Sequence, residues 1–147
     1  MDVDETNTPR PPVTRMLPTL DDATRPYWTG GAQGQLLIMR GRDSGRFVHP
    51  PSDATADDGP LEPVAVSGRG VVFTFTVNEQ QFHPDIPPPT VIALVELVEQ
   101  PGLRLPTNIV GCAASDVRVG MPVHVVFEQH GEIFVPVFEP DSEPPEG

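Results

Sequence analysis

Cysteine, lysine and aromatic residues are scarce in this sequence, and acidic charge outweighs basic charge. It has one cysteine, Cys112, no lysine, 7 Phe, 1 Tyr and 1 Trp, with 9 basic against 21 acidic residues. A single cysteine excludes an internal disulfide framework and a zinc site made of several cysteines. The absence of lysine excludes catalysis through a lysine Schiff base. The net charge of −12 disfavours binding to a nucleic-acid backbone.

Long hydrophobic runs and a secretory signal are also lacking. The apolar runs are strand-sized and fall short of the roughly 18 residues that a membrane span needs. Residues 1–6 are acidic and polar, where a secretory signal needs a basic start and an apolar core. We therefore expect a cytoplasmic protein with no membrane partner. The length of 147 residues indicates one domain with a small appendage.

Both ends of the chain are polar and contain several prolines. Residues 1–17 hold too little apolar surface to offset the entropy that is lost on ordering. Residues 140–147 combine carboxylates with prolines and contain no large apolar side chain. We therefore predict a flexible N-terminal segment over 1–17 and an acidic flexible tail over 140–147.

The segment 18–62 begins with signals that are typical of a short helix. Asp21 or Asp22 can cap the helix, and Pro26 fits an early turn. Tyr27 and Trp28 supply an aromatic face, and Gly30-Gly31 is expected to end the helix.

A small hairpin is predicted after this helix. Residues 35–39 have the apolar content of a short buried strand, and residues 46–49 can return beside it across the turn at 41–45. Residues 50–62 are rich in Pro, Asp, Ala and Gly and carry no strand signal, so they are predicted to be a loop.

Residues 63–139 contain five strand-like segments separated by turn residues. Pro101-Gly102 suits a type II turn between two of them. Several short strands with turns every 8 to 12 residues, and almost no helix, indicate a mainly β protein built as a small sandwich or barrel. The predicted strands are 70–77, 91–98, 103–110, 123–127 and 133–138.

The residues alone show no coherent set of acid, base and nucleophile. Cys112 directly follows a predicted strand, where a small buried thiol is the ordinary explanation. His49, His83, His124 and His130 lack the spacing of metal ligands. Only His83, in a loop beside Phe82, is retained as a possible ligand contact.

Five short motifs occur in an order that resembles a known family. With these motifs, residues 27–138 resemble the zinc-ribbon/OB-fold acyl-CoA-associated family, whose small members are partners of thiolase-like enzymes. The resemblance implies a five-stranded OB-fold barrel, preceded by a short N-terminal helix and a zinc-ribbon-like hairpin. The motifs are Tyr27-Trp28, residues 34–38, Ser67-Gly-Arg-Gly70, residues 91–97, and residues 116–123 followed by Val137-Phe138.

The sequence departs from this family at the ribbon. The family has two Cys-x-x-Cys knuckles; here the first falls on Gly41-Arg-Asp-Ser44, and the second is placed within 52–56, with no cysteine in either. The hairpin is therefore a degenerate ribbon, and we expect that it binds no zinc in the family's manner.

The resemblance also implies a function. It indicates a non-catalytic subunit that associates with a thiolase-like enzyme, either a thiolase or a lipid-transfer-protein-type aldolase, and helps to shape its acyl-CoA channel. Tyr27, Trp28, Phe82 and His83 are then expected near the partner or the channel, although simple packing of the aromatic pair on the barrel is an equal alternative. Two other interpretations are a single-stranded nucleic-acid-binding OB-fold and a free-standing acyl-CoA thioesterase or hydratase.

Overall fold

The structure is a computed structural model that describes residues 20–78 and 90–141. These residues form one short α-helix, several 3-10 helices, a two-stranded sheet and a closed five-stranded barrel. No helix in these two ranges has the length and apolar character needed to cross a membrane. The elements are α1 (Arg25–Thr29), β1 (Leu36–Gly41), β2 (Leu61–Val66), β3 (Arg69–Asn78), β4 (Thr90–Leu97), β5 (Arg104–Ile109), β6 (Pro122–His130) and β7 (Ile133–Pro140).

The barrel confirms the predicted five-stranded architecture. Its strand order is β3-β4-β5-β7-β6, and β6 closes the barrel by pairing with β3. All pairings are antiparallel except that of β5 with β7, where Ile109 lies beside Phe138. Val95, Leu105 and Phe138 are fully buried in its core. The strands contain β-branched or aromatic residues, and Gly or Pro residues lie in the segments that connect them, which is why the sequence predicted all five.

A β-bulge in β3 determines which side chains face outward. Val72 lies opposite Val95, but Thr74 lies opposite Leu94, so one extra residue, Phe73, is inserted between them. Because successive side chains in a strand point to opposite faces, the insertion reverses the alternation. Val71 before the bulge therefore faces outward, whereas Phe75 and Val77 after it pack against the core. Phe73 at the bulge is 43% exposed.

The hairpin differs from the prediction. β1 pairs along its whole length with β2, from Leu36 opposite Val66 to Gly41 opposite Leu61. The predicted return strand at 46–49 contributes only an isolated bridge between Arg40 and Phe47. The chain then reaches Pro50-Pro51, which has no backbone N–H groups to continue a ladder.

Residues 50–62 are therefore not wholly the loop that the sequence predicted. Short 3-10 helices span Pro51–Asp53 and Ala56–Asp58, and β2 begins at Leu61. β2 also crosses the predicted boundary at residue 63, and the first barrel strand begins at Arg69. The barrel's last strand runs to Pro140, and residues 142–147 of the predicted tail, like the segment 1–17, lie outside the described residues.

The predicted helix is present, and its α-helical part ends at Thr29, directly before Gly30-Gly31. Asp21 Oδ1 accepts a hydrogen bond from the Thr24 N–H at 2.9 Å and so caps the turn before α1. After α1 the chain continues as a 3-10 helix over Gly30–Gln33 and ends at Gly34, which has a positive φ of 73°. A Cβ on Gly31 would lie 2.5 Å from the Cβ of Phe134. Gly31 is thus required for close approach of the helical segment to β7.

Candidate functional site

The helix, the hairpin and the barrel meet at Tyr27. Its ring lies 4.7 Å from the His49 ring and 4.8 Å from the Trp28 ring, which it meets edge-on. Tyr27 packs on the main barrel core, and Trp28 packs on the separate apolar cluster of β7, including Val135. Burial raises the pKa of the Tyr27 hydroxyl above its ordinary value. Both rings thus pack on the barrel, and their contact with a partner or channel stays a prediction.

A groove of about 220 Å³ separates the hairpin from the turn between β4 and β5. Arg46, His49 and Asp53 line one side, and Gln100 lines the other. Burial lowers the pKa of His49, and the nearby negative charge of Asp53 opposes this shift. The imidazole therefore faces the groove in its neutral form at neutral pH.

A cluster of polar side chains joins the turn that follows β1 to the turn that precedes β2. We name its residues, Ser44, Arg46, Thr55 and Asp58, the knuckle cluster. Asp58 is the fully buried charged residue at its centre. The Thr55 N–H donates to Asp58 Oδ2 at 2.8 Å, and the Ser44 hydroxyl donates to Oδ1 at 2.7 Å. Arg46 donates to both oxygens, at 2.7 Å from Nε and 2.9 Å from Nη2. These hydrogen bonds, that from Thr55 first, lower the pKa of Asp58 to about 2.

The knuckle cluster lies between the two turns on which the family resemblance places the zinc knuckles. The turn that faces Gly41 and Ser44 is Thr55–Asp58, which extends beyond the range 52–56 in which the sequence placed the second knuckle. Zinc in structural sites takes four ligands drawn from Cys, His, Asp and Glu. Only Asp58 belongs to that set here, and the described residues hold no group of three such side chains. The residues present do not fit a zinc ion.

Three apolar side chains on the outside of β3 and β4 are exposed, namely Val71, Phe73 and Ile92, and we name them the outer face. Their exposed fractions are 37%, 43% and 41%. The guanidinium of Arg104 lies 3.6 Å from the centroid of the Phe73 ring, and its Nε donates to Glu96 Oε1 at 3.1 Å. A patch of aromatic and aliphatic side chains beside an arginine has the composition of a protein interface.

Cys112 and His124 have structural explanations. Burial, with a smaller effect of the Asp116 charge, raises the pKa of Cys112, so the thiol is protonated at neutral pH. His124 lies opposite Glu139 in the ladder of β6 and β7, and their side chains are 2.9 Å apart. This is the ordinary geometry of a cross-strand pair. Phe82 and His83 lie outside the described residues, so their assignment stays a prediction.

Five of the seven arginines in the described residues form ion pairs with carboxylates. The ion pairs have N–O distances from 2.7 to 3.7 Å. A nucleic-acid groove needs unpaired positive charge along the backbone path, so this pattern is unfavourable for the nucleic-acid alternative. The paired arginines are Arg40 and Arg42 with Glu62, Arg46 with Asp58, Arg69 with Asp141, and Arg104 with Glu96.

Comparison with known families and proteins matches both the barrel and the chain as a whole. The family described as the C-terminal OB-fold domain of ChsH2 matches residues 63–128. A solved structure of the Ltp2-ChsH2(DUF35) aldolase contains a chain that superposes with a TM-score of 0.72 and 34% identity. The match covers 84% of this chain and 98% of that chain.

Two curated relatives are longer proteins. The probable enoyl-CoA hydratase alpha subunit of Thermomonospora curvata is 36% identical over 136 residues, which are 90% of this chain and 40% of that protein. The 3-oxo-4,17-pregnadiene-20-carboxyl-CoA hydratase alpha subunit of Mycobacterium tuberculosis is 36% identical over 133 residues, which are 89% of this chain and 42% of that protein. This chain thus spans less than half the length of these two relatives.

Proposed function

The chain belongs to the ChsH2/DUF35 family of OB-fold proteins, and on this premise we propose that it is a non-catalytic accessory subunit of a thiolase-like enzyme. The partner is a thiolase or a lipid-transfer-protein-type aldolase that acts on acyl-CoA thioesters. The reaction it serves is the breakdown of a sterol or lipid side chain. The barrel and hairpin bind the enzyme and help to shape its acyl-CoA channel.

The observation that carries this proposal is the match to the aldolase structure. This chain covers 98% of the matched chain at 34% identity, so the likeness extends over the hairpin as well as the barrel. That structure is named as an aldolase with a DUF35 component. The sterol part of the proposal is supported by the name of the Mycobacterium tuberculosis relative, whose substrate is a pregnadiene-carboxyl-CoA.

The described side chains support an accessory role. Cys112 is held protonated, and the carboxylate of Asp58 is buried among its own hydrogen-bond donors. The His124 ring forms a hydrogen bond with Glu139 on the neighbouring strand. Neither Cys112 nor Asp58 combines access to a substrate with the protonation state that acyl-CoA chemistry needs.

A role beside a hydratase is the second candidate, and the names of the two curated relatives favour it. This chain matches only 40% and 42% of those proteins, and their remaining length can hold the hydration site. In that case the chain is the OB-fold part of a hydratase assembly and still binds an acyl-CoA enzyme. The two candidates differ in the partner that forms a stable complex.

The outer face is the surface on which we place the partner. Phe73 projects from its bulge with the Arg104 guanidinium stacked on its ring, which gives a central aromatic and arginine anchor. Val71 and Ile92 extend the apolar area around it. A thiolase-like subunit that covers this face removes the exposed apolar side chains from water.

Co-expression with the thiolase-like and hydratase proteins of the same genome tests the proposal. We expect co-elution with a thiolase-like protein in size-exclusion chromatography, with a light-scattering mass above that of either chain alone. The chain by itself should turn over no acyl-CoA and should not bind a single-stranded oligonucleotide at about 150 mM salt. A monomer with every partner contradicts the proposal, and acyl-CoA turnover that is lost in His83→Ala supports the free-standing enzyme instead.

A further inference from the structure

We propose that the guanidinium of Arg46 takes the place of the metal in this ribbon and joins its two turns without zinc. The inference concerns the hairpin alone and does not depend on the partner proposed above. It rests on the geometry of the knuckle cluster, on its burial and on the space around Gly41.

The carboxylate of Asp58 has no acceptor site left for a cation. Oδ1 accepts from Arg46 Nε at 2.7 Å and from the Ser44 hydroxyl at 2.7 Å, and Oδ2 accepts from Arg46 Nη2 at 2.9 Å and from the Thr55 N–H at 2.8 Å. A carboxylate offers about four lone-pair sites, and all four are used. A zinc ion could bind Asp58 only by displacing one of these donors.

The ion pair supplies the positive charge that a buried carboxylate requires. The Asp58 side chain is 1% exposed, while that of Arg46 is 46% exposed, so the arginine reaches inward and covers the acid. A two-point arginine–carboxylate contact fixes both the distance and the angle between the groups. The two turns are therefore held at a defined spacing, which is the structural role of a metal in a ribbon.

The space at Gly41 leaves no room for a side chain between the two turns as they are arranged here. A Cβ on Gly41 would be 2.6 Å from the Asp58 carbonyl oxygen and 2.8 Å from the Asp58 Cβ. No ligating side chain can therefore be accommodated at this position. The Asp43 N–H also donates to the Asp58 carbonyl oxygen at 2.9 Å, which closes the turns on each other.

Metal content and amide hydrogen exchange of the full chain test this inference. Protein from zinc-supplemented cultures should contain far less than one zinc per chain after dialysis. A chelator should leave exchange unchanged at the Asp43 and Thr55 amides, which report on the two turns. The proposal is overturned if each chain holds one tightly bound zinc and if chelation removes both the zinc and the protection of these amides. This outcome does not depend on whether any variant folds.

Arg46→Gln gives the second test, with Arg42→Gln as its matched control. Arg46→Gln leaves the Asp58 carboxylate buried without its cation, so exchange of the Asp43 and Thr55 amides should accelerate by about tenfold or more. Arg42 lies on the same turn, but its ion pair with Glu62 is exposed, so its loss should change exchange little. Adding Asp58→Asn to Arg46→Gln should restore part of the protection because the unpaired charge is removed. Equal exchange in the two single variants overturns the proposal.

Discussion

Gln100 binds the backbone of Phe47 through both ends of its side-chain amide. Its Oε1 accepts from the Phe47 N–H at 2.8 Å, and its Nε2 donates to the Phe47 carbonyl oxygen at 3.0 Å. The side chain thus acts as a short β-bridge between the hairpin and the turn that joins β4 to β5. This contact links residues that are 53 positions apart in the chain.

Replacement of Gln100 should loosen the hairpin from the barrel. Gln100→Leu leaves the half-buried N–H and C=O groups of Phe47 without partners, which should lower the free energy of unfolding by about 1–3 kcal/mol. Urea unfolding measures this change. Gln129→Leu is the control, because Gln129 is exposed and bonds only to Gly131 within its own hairpin turn, so a change within about 0.5 kcal/mol is expected. Equal effects of the two changes would show that the Gln100 amide adds nothing to stability.

The sequence could not predict the Gln100 contact, although it predicted all five barrel strands. The strands follow from runs such as Val91–Leu97, in which β-branched and aliphatic residues are bounded by turn residues. A side-chain amide that forms hydrogen bonds with the backbone of a distant residue leaves no periodic pattern in the sequence. The pairing of β1 with β2 could not be predicted either, because Leu61–Val66 contains a proline and follows a polar segment.

Gly31 should tolerate alanine poorly even though its backbone has an ordinary helical conformation. The added methyl group would lie 2.5 Å from the Phe134 Cβ and 2.8 Å from the Phe127 ring, so the helical segment must move away from the barrel. Gly31→Ala should lower the free energy of unfolding by about 1–3 kcal/mol. Gln33→Ala, at an exposed site on the same segment, should change it by no more than about 0.5 kcal/mol. A Gly31→Ala protein as stable as this control would mean that the segment does not pack as described.

Gly31 also shows what local sequence signals leave open. A Gly-Gly pair after a short helix is a valid stop signal, and the sequence offers no way to distinguish it from a pair selected for close packing. The same holds for Asp58, which lies in the predicted loop 50–62, where no local signal indicates a buried carboxylate. Its burial depends on Arg46, and their side chains come together only when the turns of the hairpin close.

Acid should destabilise the protein through His49. Burial lowers the pKa of His49 in the folded state below 6.5, so the unfolded chain binds a proton more readily. The neutral His49 therefore costs no stability above about pH 6.5. As the pH falls from there towards the pKa of the folded state, the free energy of unfolding decreases by at most about 1.4 kcal/mol per pH unit. Urea unfolding between pH 7.5 and pH 5, as about ten equally spaced points, measures the slope.

Two substitutions give opposite changes in this pH dependence. His49→Phe removes the titrating group and keeps a ring against Tyr27, so the slope between about pH 6.5 and 5 should decrease. Asp53→Asn removes the negative charge that favours protonation of His49 in the folded state, so the total loss at acid pH should increase. An unchanged slope in both variants would assign the acid sensitivity to other groups.

Binding of the thiolase-like partner should depend on Phe73. Phe73→Ser removes the ring that lies under Arg104, and truncation of an aromatic anchor in an interface typically costs about 2 kcal/mol or more, which is roughly thirtyfold in Kd. The ring is 43% exposed in the free chain, so the folded barrel should persist, as a circular-dichroism melt can verify. Val98→Ser is the control, because Val98 is 65% exposed but lies at the turn that follows β4. Titration calorimetry with the co-purified partner compares the variants. If Phe73→Ser binds as tightly as Val98→Ser, the partner contacts a different surface, and the half-buried Tyr27 and Trp28 become the next residues to change.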